Sequence, residues 1–239
     1  TAAPAPAAEH GNEIMVEGIR KIVAERMHAS LAGTAQLTLN RSFDATAILA
    51  LRGQVKAHGE RLGLPNITIN DIVAFATARL LARNPEVNAH WLGDRIVQHA
   101  QVNLGIAMDT PRGLMVPVVR DAGRMSLSEI SRAIKPMVDA AREGGINPDL
   151  LQGGTFTITN LGTLGIESFT PILNAPEVAI LGVGGLFLKP ISDGDGVKHV
   201  QAMNLSLTID HQAVDGAPGA RFLAELAESL ENVDLVLAG

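Results

Sequence analysis

The sequence predicts a mixed-sheet α/β domain, and three observations carry that prediction. Helix-type and strand-type apolar periods alternate along the chain, but without the regular strand–helix–strand rhythm of an all-parallel sheet. Strand signals crowd into the last third, with a hairpin signal between two of them. Size and composition allow one large domain or two small ones: 239 residues, 46% apolar and 18% charged, a length that buries roughly 70–75% of the unfolded surface. With six Phe, one Trp and no Tyr, the core must rest on Leu, Ile, Val and Ala.

Taken in order, residues 1–12, TAAPAPAAEHGN, are mostly Ala and Pro without apolar periodicity and read as a semi-extended linker. VEGIRKIVAERMHASLAG carries a helical stripe through Ile19, Ile22, Val23, Met27 and Leu31. LTLNRSFD alternates Leu37, Leu39, Arg41 and Phe43, a strand with one wet face. Asp44 is placed to cap a helix reaching about Arg61, and Asn70 or Asp71 to cap another that ends before Pro85. VNLGIAMD and LMVPVVRD flank a turn at Thr110-Pro111-Arg112-Gly113. Ser126 and Glu129 have capping-box spacing and open a helix striped by Leu127, Ile130, Ile134, Met137 and Ala141, bent at Pro136. TFTIT, VAILGVG and NLSLTI read as strands, with a hairpin around Asp193-Gly194-Asp195-Gly196 between the last two. A final helix runs from about Ala217 to Asn232.

Charge and composition narrow the function. The net charge of −6 is spread without a basic patch, which argues against nucleic acid and anionic membranes as partners. The absence of cysteine excludes disulfides, thiolate catalysis by the protein and cysteine-type zinc sites. No apolar run reaches ~18 residues, so no membrane span is expected. The N-terminus lacks the layout of a signal peptide, and a cytoplasmic or matrix-like location is expected.

Two stretches carry candidate chemistry. In NLSLTIDHQAVDGAPGARFL, Leu205, Leu207 and Ile209 share one face of a half-buried strand. His211 follows its end, where a loop histidine with a pKa near ~6.5 can exchange a proton at neutral pH. Asp215 falls where the helix begins; its plain structural role is an N-cap. A metal site is disfavoured, because His211 and Asp215 would need further ligands and the other six histidines show no ligand spacing. In GGTFTITNLGTLGIESFTPILNAPEVAILGVG, Thr155, Thr157 and Thr159 alternate on one strand face, a pattern common on wet faces. Thr159 ends that strand beside Asn160, where a hydroxyl can face a cleft and donate to an oxyanion.

These blocks, together with IRKIVAERMHASL, TPRGLMVPVVRDA, SLSEISRAIKPMVDAAREG, NAPEVAILGVG and DHQAVDGAPGARFL in that chain order, resemble the catalytic domain of the dihydrolipoyl acyltransferases, the core components of 2-oxo acid dehydrogenase complexes. The resemblance covers residues 13–239 and makes TAAPAPAAEH look like the end of an interdomain linker; no lipoyl-attachment domain is read in the chain. It implies a chloramphenicol acetyltransferase-like fold and homotrimers built into a cubic or icosahedral cage. The implied partners are the 2-oxo acid dehydrogenase and dihydrolipoamide dehydrogenase components, and the implied location is bacterial cytoplasm or mitochondrial matrix. The implied substrates are coenzyme A and lipoamide carried on another domain, with no metal, and acetyl as the favoured acyl group. It assigns His211 as the base that takes the thiol proton, Thr159 as the oxyanion donor, and Asp215 to the active site, mainly ordering the loop; Asn160 is a candidate substrate contact. In the family, the histidine and the hydroxyl come from different chains of a trimer. One residue departs from the pattern: Gln212 stands where the family most often has Arg, and a neutral amide cannot replace a bidentate guanidinium. Two other readings are a trimeric acetyltransferase acting on a small hydroxyl substrate, disfavoured by the linker and NAPEVAILGVG, and a non-catalytic cage component, disfavoured by the presence of His211.

Overall fold

The structure, a computed structural model, describes residues 12–110, 113–143 and 145–238. Most of the predicted linker, and Pro111 and Arg112 of the predicted turn, lie outside the described residues. In chain order the elements are α1 (Gly18–Gly33), β1 (Gln36–Asp44), α2 (Thr46–His58), α3 (Ile69–Leu81), β2 (Ala89–Trp91), β3 (Ile96–Gln98), β4 (Leu104–Ile106), β5 (Met108–Thr110), β6 (Gly113–Met115), β7 (Val118–Val119), α4 (Leu127–Glu143), β8 (Phe156–Asn160), β9 (Ala179–Asp193), β10 (Gly196–Asp210), α5 (Gly216–Glu231) and α6 (Val233–Ala238). Six strands form one sheet in the order β1-β10-β9-β8-β4-β7. It is mixed: β8 runs parallel to both β4 and β9, and the other neighbours are antiparallel.

The core lies between this sheet and α3 and α5. Phe156 and Ile158 of β8 meet Leu205, Leu207 and Ile209 of β10 and Phe222, Leu223 and Leu226 of α5 in one buried cluster. Aliphatic side chains dominate it, as the scarcity of aromatics requires. Phe156 and Phe222 make a tilted ring contact with centroids 6.0 Å apart.

Three local expectations change. The cap of α3 is Thr68, not Asn70 or Asp71. Thr68 accepts from the Asp71 N–H at 3.2 Å while Asp71 accepts from the Thr68 N–H at 2.8 Å, a full capping box. The helix after Asp44 begins at Thr46, so Asp44 sits one residue before the cap position, yet its carboxylate still accepts from the Thr46 N–H at 2.9 Å. The NLSLTI strand is buried on both faces rather than one: Leu205, Leu207 and Ile209 on one face and Ser206 and Thr208 on the other are all 1% exposed or less. Its polar side is satisfied across the β1 pairing by Thr208···Thr38 at 2.8 Å and by Ser206 donating to Asn40 at 2.6 Å. The predicted box at α4 is present, with Ser126 and Glu129 exchanging backbone bonds of 2.7 and 3.3 Å.

Candidate active site

Strand β10 fixes where His211 stands. Asp210 ends the strand and is 1% exposed. The His211 N–H donates to the Ala35 carbonyl at 2.8 Å, so the backbone is anchored while the imidazole is left 47% exposed. One turn on, Asp215 occupies the N-cap position of α5, but its carboxylate makes no capping hydrogen bond. It turns instead toward the histidine, with Oδ1 3.8 Å from Nδ1 and its side chain 84% exposed. The plain capping role expected for this carboxylate is therefore not the one it plays. At 3.8 Å it leaves the imidazole Nε2 as the ring atom turned away from the carboxylate.

Thr159 belongs to a different part of the molecule. The threonine face of β8 is not wet, as alternation alone suggested, but packed. Thr155 is buried and donates to the Asn103 carbonyl at 3.3 Å, and Thr157 is buried against the Glu177 carboxyl at 2.6 Å. Thr159, the last of the three on that face, is half-buried, and among the described residues its hydroxyl has no hydrogen-bond partner. Asn160 points to the opposite face, as strand geometry demands. There its side-chain oxygen accepts from the Gly162 N–H at 2.8 Å and its amide donates to Asn70 at 3.3 Å. It lines a cavity of about 540 Å³ with Arg52, Asn70, Gly162, Gly184 and Met203. Close backbone packing shapes this edge: a Cβ on Gly184 would collide with the Glu167 carbonyl, and one on Gly162 with Gly184.

Sheet register separates the two candidates. Thr159 lies opposite Gly182 of β9, and Gly182 opposite Ser206 of β10. His211 lies five residues past Ser206, toward the other end of the sheet. At ~3.3 Å per residue along the strand and ~4.8 Å per strand across, the two Cα atoms are roughly 15–20 Å apart. Within one protomer, His211 and Asp215 come together, and Thr159 and Asn160 stand apart from them.

Sequence patterns do not single out Glu177. It is 3% exposed, accepts from Asn174 at 3.0 Å and meets Thr157. Burial pushes its carboxyl up to about 7, against the pull of these two hydrogen bonds. The available signal was a charged residue abutting the wholly apolar run VAILGVG. Nearby, His90 and His99 stack edge to face at 4.3 Å, and burial, with His90 second, holds His99 below the usual imidazole range.

Known proteins resemble the chain over nearly its full extent. The family model described as "2-oxoacid dehydrogenases acyltransferase (catalytic domain)" matches residues 8–238. A Bacillus subtilis dihydrolipoyllysine-residue acetyltransferase component of an acetoin cleaving system is 41% identical over 93% of this chain and 56% of its own length. The chain thus spans about half the length of that relative. The cubic core of a pyruvate dehydrogenase multienzyme complex superposes with a TM-score of 0.91 at 32% identity, over 99% of this chain and 100% of that one. The dihydrolipoamide acetyltransferase of Azotobacter vinelandii, whose study concerned a serine, a histidine and an asparagine in its catalytic mechanism, superposes equally well, with a TM-score of 0.91 at 32% identity over 99% and 100%. Chloramphenicol acetyltransferase shares the fold at a TM-score of 0.55 and 16% identity, over 87% of this chain and 92% of its own. The chain belongs to the 2-oxoacid dehydrogenase acyltransferase family, matching its catalytic domain.

Proposed function

We propose that this protein transfers an acyl group, acetyl foremost, between dihydrolipoamide and coenzyme A, at sites completed by neighbouring copies of the chain. The observation that carries this reading is the pairing of His211 with Asp215 at one end of the sheet and, at the other, the Thr159 hydroxyl, which has no partner among the described residues. The serine, histidine and asparagine named for the Azotobacter vinelandii enzyme stand at the same sequence intervals as Thr159, His211 and Asp215. The relative from the acetoin system favours acetyl.

The chemistry follows from the geometry. A thiol with a pKa of ~8.5 is mostly protonated at neutral pH. Nε2 of His211 takes its proton, with Asp215 3.8 Å from Nδ1 on the other side of the ring. The thiolate adds to the thioester carbonyl, and the Thr159 hydroxyl of a neighbouring copy donates to the oxyanion. Collapse expels the other thiolate, which recovers the proton from His211. The proton and the acyl group both end on the two substrates, and the protein is unchanged. A site divided between chains requires an assembly; trimers arranged in a cubic core, cooperating with the dehydrogenase components of such a complex in cytoplasm or mitochondrial matrix, fit this reading.

The test is acyl transfer to free dihydrolipoamide from acetyl-, succinyl- and isobutyryl-CoA, measured beside particle size. Acetyl transfer by an assembled particle is expected to be fastest. Equal activity in a dissociated monomer at assay concentration would overturn the shared site, and absence of transfer from all three donors would overturn the reaction.

A further inference from the structure

The residue after His211 has no part in this chemistry, yet it is the most connected side chain of the turn. Gln212 Nε2 donates to the carbonyl of Gly33, the last residue of α1, at 3.0 Å. It also faces both oxygens of Asp210, at 3.1 and 3.3 Å. The Asp210 carboxylate in turn accepts from the Ala35 N–H at 3.1 Å and the Gln212 N–H at 3.1 Å. Ala35 answers by accepting from the His211 N–H. The peptide after His211 is therefore held by the buried Asp210 carboxylate and the one before it by Ala35, which the same carboxylate also holds; that carboxylate is tied through the Gln212 amide to the end of a helix far away in sequence.

The residue type suits the task. A primary amide nitrogen carries two N–H groups. One can serve the helix carbonyl, which has no partner inside its own helix, and the other a carboxylate that is costly to bury without donors. A hydrocarbon side chain here would leave the Gly33 carbonyl without this donor and the Asp210 carboxylate with its two backbone donors alone, removing the side-chain link between the turn and α1. A carboxylate would face Asp210 with like charge. A guanidinium could reach both acceptors and add an ion pair.

We propose that Gln212 is a positioning residue for the transfer reaction: its amide clamps Asp210 to the end of α1 and thereby holds the His211 imidazole in line with the thiol. This rests on the proton-transfer reading of His211. Misplacement of a reacting group by about 1 Å can cost a hundredfold in rate, so a clamp of this kind matters to kcat before it matters to binding.

The experiment compares Gln212→Leu, Gln212→Arg and His211→Ala with the unaltered protein in assembled form, using acetyl-CoA and dihydrolipoamide. Gln212→Leu is expected to lose roughly ten- to a hundredfold in kcat with KM within about twofold and with Tm and particle size near those of the parent. Gln212→Arg is expected to restore kcat to within about threefold, because its guanidinium supplies the missing donors. Parental kcat in Gln212→Leu would overturn the proposal. So would a kcat loss that only tracks falling Tm or disassembly, which would make the amide a fold-holding group. If His211→Ala itself turns over normally, the proton-transfer reading fails, an outcome distinct from failure of the clamp alone.

Discussion

The two ends of the sheet are built in opposite ways. At the His211 end, side chains do the holding: Asp210 and Gln212 bond to each other beneath the turn, and Asp215 lies 3.8 Å from an exposed imidazole. At the Thr159 end, the backbone does it: glycines at 162 and 184 let the chain lie against itself, and the residue is half-buried, its hydroxyl without a partner among the described residues. The role proposed for His211, a proton acceptor, needs access, and the ring stands in the open with a carboxylate nearby. The role proposed for Thr159, an oxyanion donor, needs a fixed dipole out of water, and the residue sits on a strand, half-buried. On the function proposed above each end supplies half of an active site, and at roughly 15–20 Å apart neither could complete the other within one protomer.

The largest expected effect tests the His211 end. His211→Ala should lower kcat by roughly 10²–10⁴ with the fold intact, since the ring is 47% exposed and only the backbone N–H is anchored. Near-parental turnover in the folded variant would return the histidine to a structural role.

The Thr159 end comes next. Thr159→Val keeps the β-branched shape that a strand prefers but loses the O–H, and should cost about 10²–10³ in kcat, in kcat more than in KM because the charge exists only in the transition state. Thr159→Ser keeps the O–H and should keep most activity. An active Val variant beside a crippled Ser variant would show that the residue is there for packing. Mixing the two ends sharpens the comparison. Dissociated and reassembled together, His211→Ala and Thr159→Val chains should regain activity that neither has alone, because some interfaces then pair an intact histidine with an intact hydroxyl. Failure to regain any activity, with mixed particles demonstrated, would place both groups in one chain.

What the sequence revealed follows the range of the interactions involved. The Ser126–Glu129 box, the β9–β10 hairpin and the start of α5 are set within a few residues and were legible. The histidine at the end of a strand was legible for the same reason. Most features that were wrong or missing are set by distant partners, the Thr68 cap of α3 being a local exception. Thr155 and Thr157 alternate as a wet face would, but residues 103 and 177 cover them. The short β2–β3 pair has three residues per strand, too few for a period to register. The turn of Asp215 away from capping and the reach of Gln212 to Gly33 depend on where α5 and α1 are packed, which no local pattern encodes.

The smallest expected effect on turnover lies between the two ends, at Glu177, and there the measurable consequence is stability. Glu177 precedes the start of β9, where the Asp210 N–H donates to the Val178 carbonyl, and it touches Thr157, two residues before Thr159. It is therefore buried between the stretches that carry Thr159 and His211. Burial raises its carboxyl to about 7 from an ordinary value of 4.5. Below pH 4.5 the folded and unfolded chains both carry the proton, and the group's contribution to stability is complete. Between 4.5 and about 7 the unfolded chain releases the proton while the folded chain keeps it, so stability falls as pH rises. The loss levels off once the folded form also ionises, after about 3 kcal/mol, since each pH unit crossed in this window costs ~1.4 kcal/mol. Glu177→Gln should remove this slope, because an amide can accept from Asn174 and donate to the Thr157 hydroxyl without ever ionising. Thermal unfolding at pH 5 should then be close to that of the parent, and at pH 8 to 9 the variant should be the more stable, with kcat for acetyl transfer nearly unchanged at both. A variant equally destabilised at both pH values would show that Glu177 is held as a paired anion rather than as a neutral acid. A large fall in kcat without a change in stability would move Glu177 from the scaffold between the two half-sites into one of them.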